Sequence, residues 1–230
     1  MRRFIAAILC ICLMNLPVGA AEGEKSVALT FDDGPSGRFT RRLLEGLAER
    51  NVQATFFLCG YRMEQYPKLA KQIFEAGHEI GIHGYSHKSM KSMCSRQIAQ
   101  EVRDTAALLP PGCRTAFLRP PGGLCDSCVR LAAEDCGLAI LQWSVDPKDW
   151  ACDDAKEITG RVLRQVEDGD VILLHDMSDS SVDAALMIID ALLAKGFRFV
   201  TASELAQAKN CVLIPGRVYT HFREEEQEDK

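Results

Sequence analysis

A chain of 230 residues, 47% of them hydrophobic, can bury one well-formed core and is too short for two comfortable domains. Its 27 basic and 32 acidic residues give a formal net charge of −5. That balance argues against a nucleic-acid partner, which calls for a basic surface.

Residues 1–20 carry the marks of a secretory signal. Arg2 and Arg3 form a basic start, Phe4 to Leu13 an apolar run, and Val18-Gly19-Ala20 a small-residue cleavage site. Cleavage after Ala21 fits equally well. An uncleaved anchor is the alternative, although the apolar run is short for a membrane span. Removal takes Arg2 and Arg3 and no acid, leaving 25 basic against 32 acidic residues, or −7. Cys10 and Cys12 leave as well, and eight of the ten cysteines stay: Cys59, Cys94, Cys113, Cys125, Cys128, Cys136, Cys152 and Cys211. An even number in an exported chain points to one or more disulfides, but four bridges allow about 105 connectivities.

From Ser26 onward, apolar runs alternate with amphipathic segments. The pattern predicts strands over 27–31, 54–58, 79–82, 116–118, 139–144, 171–174 and 198–201. It predicts helices over 40–50, 67–76, 95–109, 129–136, 155–166 and 182–195, with a short one at 203–208. Gly77 and Gly196 follow two of these helices as stop signals. Uninterrupted strand–helix alternation implies a mostly parallel sheet covered by helices. About seven units in roughly 200 residues fit an α/β single domain, a distorted and incomplete (β/α) barrel of about seven parallel strands. An open sheet remains the alternative. The tail from Arg223 to Lys230 is a charge run expected to be solvated and disordered.

The chemistry-bearing residues fall where strands end. Asp32 and Asp33 close the first strand, and Gly34-Pro35 breaks it. Two adjacent carboxylates cannot both be buried and charged cheaply unless cations share the site. Capping of the next helix is the plainer reading of that pair. His83 and His87 follow the third strand on a loop containing Gly84. Two histidines with one carboxylate form a common catalytic metal set that leaves coordination positions open. His78 reads instead as a structural hydrogen-bonding residue. Arg119 closes the fourth strand ahead of Pro120-Pro121-Gly122-Gly123. It is either a carboxylate partner or a surface arginine before a rigid turn. Asp149 and Trp150 follow the fifth strand, and a tryptophan there suits stacking on a sugar ring, though core packing is its commoner use. His175 ends the sixth strand. In a parallel barrel these ends share one rim, so widely separated residues converge.

Asp32-Asp33-Gly34-Pro35, His83 with His87, Arg119-Pro120-Pro121, Asp149-Trp150 and Leu173-Leu174-His175 resemble, in order, the five motifs of polysaccharide deacetylases. This is the NodB homology domain, or carbohydrate esterase family 4. The resemblance covers about residues 26–208, with a C-terminal extension at 209–230. It implies removal of N-acetyl groups from amino-sugar polymers, peptidoglycan first and chitin oligomers next. The cofactor implied is one divalent metal, zinc before cobalt, nickel or manganese. By the same resemblance Asp32 is the general base, and Asp33, His83 and His87 hold the metal. Arg119 pairs with Asp32, His175 is the general acid, and Asp149 orients it. Gly122 offers a backbone N–H to the oxyanion, while Trp150 and Leu173 line the acetyl pocket. A secreted, cell-envelope enzyme follows, a monomer with no membrane span after cleavage. Two positions depart from the family pattern: Gly84 stands where Thr or Ser is usual, and Gly122 where tyrosine is frequent.

Cys125-Asp126-Ser127-Cys128 opens a helix after a strand and invites a disulfide or a thiol–disulfide oxidoreductase reading. The other rivals are an acetylxylan-type O-acetyl esterase and a catalytically silent carbohydrate-binding module.

Overall fold

The computed structural model describes residues 25–223. The expected signal segment at 1–20 and most of the acidic tail lie outside the described residues. Among the described residues, eight strands, all paired in parallel, alternate with eight helices. The first, β1 (Ser26–Asp32), is buried at every position, because β2 (Thr55–Leu58) and β6 (Val171–His175) flank it and β7 (Arg198–Phe199) pairs with its first residues. A strand covered on both faces needs no polar alternation, hence the apolar run. Then β3 (Glu79–Ile82), β4 (Phe117–Leu118), β5 (Ala139–Leu141) and β8 (Val218–Tyr219) continue the sheet from β2.

The strand expected over 139–144 stops at Leu141. Beyond it the chain changes partners. The Ser144 N–H donates to the Val171 carbonyl at 3.0 Å, and the Leu173 N–H donates to Val145 at 2.9 Å. These bonds bring the segment after β5 against β6 and curl the sheet toward a barrel. Strand β8 lies inside the predicted extension at 209–230, so the folded domain runs past 208. Tyr219 and Phe222 are buried in the barrel cluster with Phe57, Phe117 and Val171. Its two residues were too short a run to register as a strand.

The helices are α1 (Arg38–Glu49), α2 (Gly60–Gln65), α3 (Pro67–Glu75), α4 (Ser95–Ala106), α5 (Ser127–Asp135), α6 (Ala155–Leu163), α7 (Asp179–Ala194) and α8 (Ala202–Ala208). Helix α2 was not predicted, since Pro67 divides it from α3 and six residues give no readable period. Helix α7 starts three residues early. Ser178 caps it by accepting from the Ser181 N–H at 3.1 Å.

Alternation along the strands sorts the core into layers. Val27, Leu29 and Phe31 of β1, with Phe56 and Leu58 of β2, pack outward against α1 and α7. Ala28, Phe57, Phe117 and Val171 point inward, where Ala202 and Leu205 of α8 join them. Helix α8 thereby packs at the end where β1 begins. The other end, where the strands finish, is left for the site.

Candidate active site

The same two-residue period assigns the rim residues. Asp32 shares its face of β1 with Ala28 and Thr30, His175 its face of β6 with Val171, and Arg119 follows Leu118 of β4 on the face of Phe117. His83 continues β3, its N–H donating to the Leu58 carbonyl at 3.0 Å. Asp32, Asp33, His83, His87, Gly122, Trp150, Leu173 and His175 all line one cavity of about 340 Å³. Asp149 and Arg119 stand behind that wall, both buried.

Asp33 turns the chain with φ 73°, a left-handed conformation that Asp tolerates better than most residues. Its Oδ1 lies 2.8 Å from His87 Nε2 and 3.3 Å from His83 Nε2. One ligand atom from each residue lies within 4.8 Å of the others. Although buried, this Oδ1 accepts no well-directed hydrogen bond. Three convergent donors around an unsatisfied oxygen are what a divalent ion needs. His83 is already oriented for that purpose. Its Nδ1 lies 2.7 Å from the Arg119 carbonyl. A carbonyl only accepts, so Nδ1 carries the proton and Nε2 presents its lone pair. Burial works to raise the Asp33 pKa, but His83 and His87 outweigh it and hold the carboxyl far below the usual range. The same contact with Asp33 raises His87, against the effect of burial.

Arg119 is fully buried and directs four of its five N–H groups to acceptors. Nη1 donates to Asp32 Oδ1 at 2.7 Å and to Thr30 Oγ1 at 2.8 Å. Nε and Nη2 donate to the carbonyls of Leu141 and Gln142 at 2.8 and 2.7 Å. Its plane also lies 3.9 Å from the centre of the Phe57 ring. A buried ion pair whose guanidinium is held by three further hydrogen bonds fixes the direction of Asp32. Across the cavity Asp149 grips His175 twice, accepting from its backbone N–H and from Nδ1, both at 2.8 Å. Burial would lower the His175 pKa. The Asp149 contact, with the charges of Asp32 and Asp33, outweighs that and raises it to about 9. The cavity therefore carries a carboxylate on one side and an imidazolium on the other, with a three-ligand set beside them.

The family profile for polysaccharide deacetylases matches residues 19–141. A peptidoglycan-N-acetylglucosamine deacetylase of Bacillus cereus is 35% identical over 193 residues, 81% of this chain and 91% of its own. The chain belongs to the polysaccharide deacetylase family. The Bacillus subtilis peptidoglycan-N-acetylmuramic acid deacetylase PdaC is 36% identical over 81% of this chain, which spans only 40% of PdaC. A family 4 acetyl xylan esterase from Clostridium thermocellum, solved with a cobalt ion, superposes with a TM-score of 0.80. It is 32% identical, over 86% of this chain and 98% of that one. The expected (β/α) barrel is thus the fold of the family.

The two departures from the polysaccharide deacetylase pattern have structural answers. Gly84 has φ 78°, and a Cβ there would lie 3.0 Å from Met90 Cε. Support for the histidine loop comes from Glu101 of α4. Its carboxylate accepts from the Tyr85 and Ser86 N–H groups, both at 2.8 Å, and from Ser86 Oγ. Sequence reasoning missed Glu101, because one acid in an amphipathic helix has no distinguishing pattern. Gly122 has φ 68° and open space where its Cβ would point, so this wall of the cleft is lowered. Trp143 and Asp146, neither singled out as a site residue, complete the lining.

His78 is structural as expected, accepting from the Ala54 N–H at 3.2 Å. The proposed Cys125–Cys128 bridge is not formed; all eight cysteines among the described residues carry free thiols. Extended backbone at the α5 cap, Asp126, separates Cys125 from Cys128 in the first helical turn. Burial also raises the Cys125 thiol, which makes it a poor nucleophile. Asp176, another missed residue, is fully buried behind His175. Burial raises its pKa to about 7, against a hydrogen bond from Thr40.

Proposed function

We propose that the protein is a secreted, metal-dependent N-deacetylase that hydrolyses the acetamide of N-acetylglucosamine units, in peptidoglycan first and chitin oligomers next. The observation that carries this reading is the placing of an acid and an imidazole on opposite sides of one cavity. Asp32 is fixed by Arg119, and His175 is kept protonated beside Asp149, next to the Asp33–His83–His87 cluster.

The three ligands would hold one divalent ion, zinc first. When bound, it supplies Lewis acidity toward the amide carbonyl and acidifies water. Asp32 takes the proton of the attacking water. The Gly122 N–H donates to the developing oxyanion. His175 then gives its proton to the departing nitrogen, and Asp149 holds the ring in place meanwhile. The C–O bond forms first, and the C–N bond breaks as the nitrogen takes the His175 proton, giving acetate and a free amine. Trp150, 68% exposed, and Leu173 shape the acetyl end of the cavity.

An O-acetyl esterase is the second reading, favoured by the likeness to a xylan esterase. Acetate release from peptidoglycan, chitin oligomers and acetylated xylan separates the two. The decisive comparison is wild type against Asp32→Asn, each with and without chelator. Both changes should reduce acetate release by about 10²-fold or more. Release that ignores both would refute the mechanism.

A further inference from the structure

A second pocket, of about 500 Å³, adjoins the catalytic one and is lined by Asp146, Pro147, Lys148, Arg161, Arg164 and Gln165. Asp146 lines both pockets, so they are neighbours on one surface. On a chain of net charge −5, this lining holds three cations and one acid. The cations divide into two kinds. Arg161 is structural: it donates to the Pro147 carbonyl at 2.7 Å and to Glu157 at 2.6 Å, tying the loop to α6. Lys148 and Arg164 are exposed, and neither has an ion pair among the described residues. The one acid, Asp146, already accepts from the Lys148 N–H at 2.8 Å. A free ammonium and a free guanidinium therefore face a concavity beside the catalytic cleft.

We infer that this pocket is a subsite for a carboxylate borne by a sugar unit next to the one being deacetylated. The inference rests on the deacetylase reading and narrows its substrate. A polymer bound in the cleft must continue past the reacting sugar, and the pocket adjoins the cleft through Asp146. A neutral chitin chain offers Lys148 and Arg164 nothing to pair with. The muramyl units of peptidoglycan carry a lactyl group and peptide carboxylates, whose planar oxygens match a guanidinium fork. Charges on such a rim act on orientation and encounter, and salt weakens them.

The test is equilibrium binding by calorimetry of three oligomers of equal length: a muramyl glycan with free carboxylates, the same glycan with its carboxyls amidated, and chitin. Wild type should bind the free-acid glycan about five-fold more tightly than the amidated one at low salt, as expected for one or two exposed ion pairs. The preference should vanish in 0.5 M salt. Arg164→Glu should abolish it and leave chitin binding unchanged, whereas Arg164→Lys should keep most of it. Indifference of wild type to amidation would overturn the subsite. So would an equal weakening of all three ligands by Arg164→Glu, which would mean a structural role. Acetate release is measured in parallel. Carboxylate-selective binding without acetate release would overturn the deacetylase reading and uphold the subsite.

Discussion

His175 holds its proton against its own burial, because Asp149 contacts both its ring and its backbone. Its folded pKa of about 9 lies above the ordinary 6.5. The stabilisation is therefore complete below pH 6.5 and is lost as pH rises through about 9. A reaction that needs the imidazolium should lose rate along the same limb. Asp149→Asn removes the main raising contact, so the basic limb of the pH–kcat/KM profile should move to lower pH. A limb that stays near pH 9 would show that another group sets it. Glu101 acts at one remove, through the loop that carries His87. Glu101→Ala leaves the Tyr85 and Ser86 N–H groups without their acceptor. Metal affinity, read by titration against a competing chelator, should fall about 10-fold or more.

Elements place these residues by what each strand can afford opposite its neighbour. Phe57 of β2 faces Gly81 of β3 in the parallel ladder, and a Cβ on Gly81 would lie 2.5 Å from the Phe57 ring. The ring fills the space left by the glycine and carries the Arg119 guanidinium on its face. Gly81→Ala should destabilise the fold by about 1–3 kcal/mol, the usual cost of overpacking. It should also lower activity by displacing Arg119. Urea denaturation and acetate release read the two effects separately. An unchanged midpoint would mean that the ring moves aside freely. The long elements were legible in sequence, α1, α4 and α7 because each turns an apolar face to the core and β1 because both its faces are buried. The short ones, α2 and β8, were not, since their residues belong where they are only through partners distant in sequence.

At the scale of the whole molecule the barrel is completed from its C-terminal end. The edge strand β8 pairs with β5, and Phe222 donates its N–H to Gly169 at 2.8 Å. Truncation after Ala208 removes buried Tyr219 and Phe222 together. It should cost at least about 4 kcal/mol, the scale for losing one large aromatic side chain, and should lower Tm by many degrees. A truncated chain with wild-type Tm would return the domain boundary to 208. Chelation tests the opposite case. The core clusters are apolar and do not include Asp33, His83 or His87, so chelator should abolish acetate release while far-UV circular dichroism stays unchanged.

The sequence by itself determined the strand–helix alternation and the residue types at each strand end, because hydrophobic period and turn chemistry are local. The family resemblance, too, was readable from ordered motifs. Tertiary structure alone decided which of those residues meet. Parity along β1, β3, β4 and β6 turned Asp32, His83, Arg119 and His175 inward, and curling of the sheet set them around one cavity. It also decided Glu101, Trp143, Asp146 and the free thiols. Their roles depend on which surfaces lie opposite them, and no local pattern encodes that.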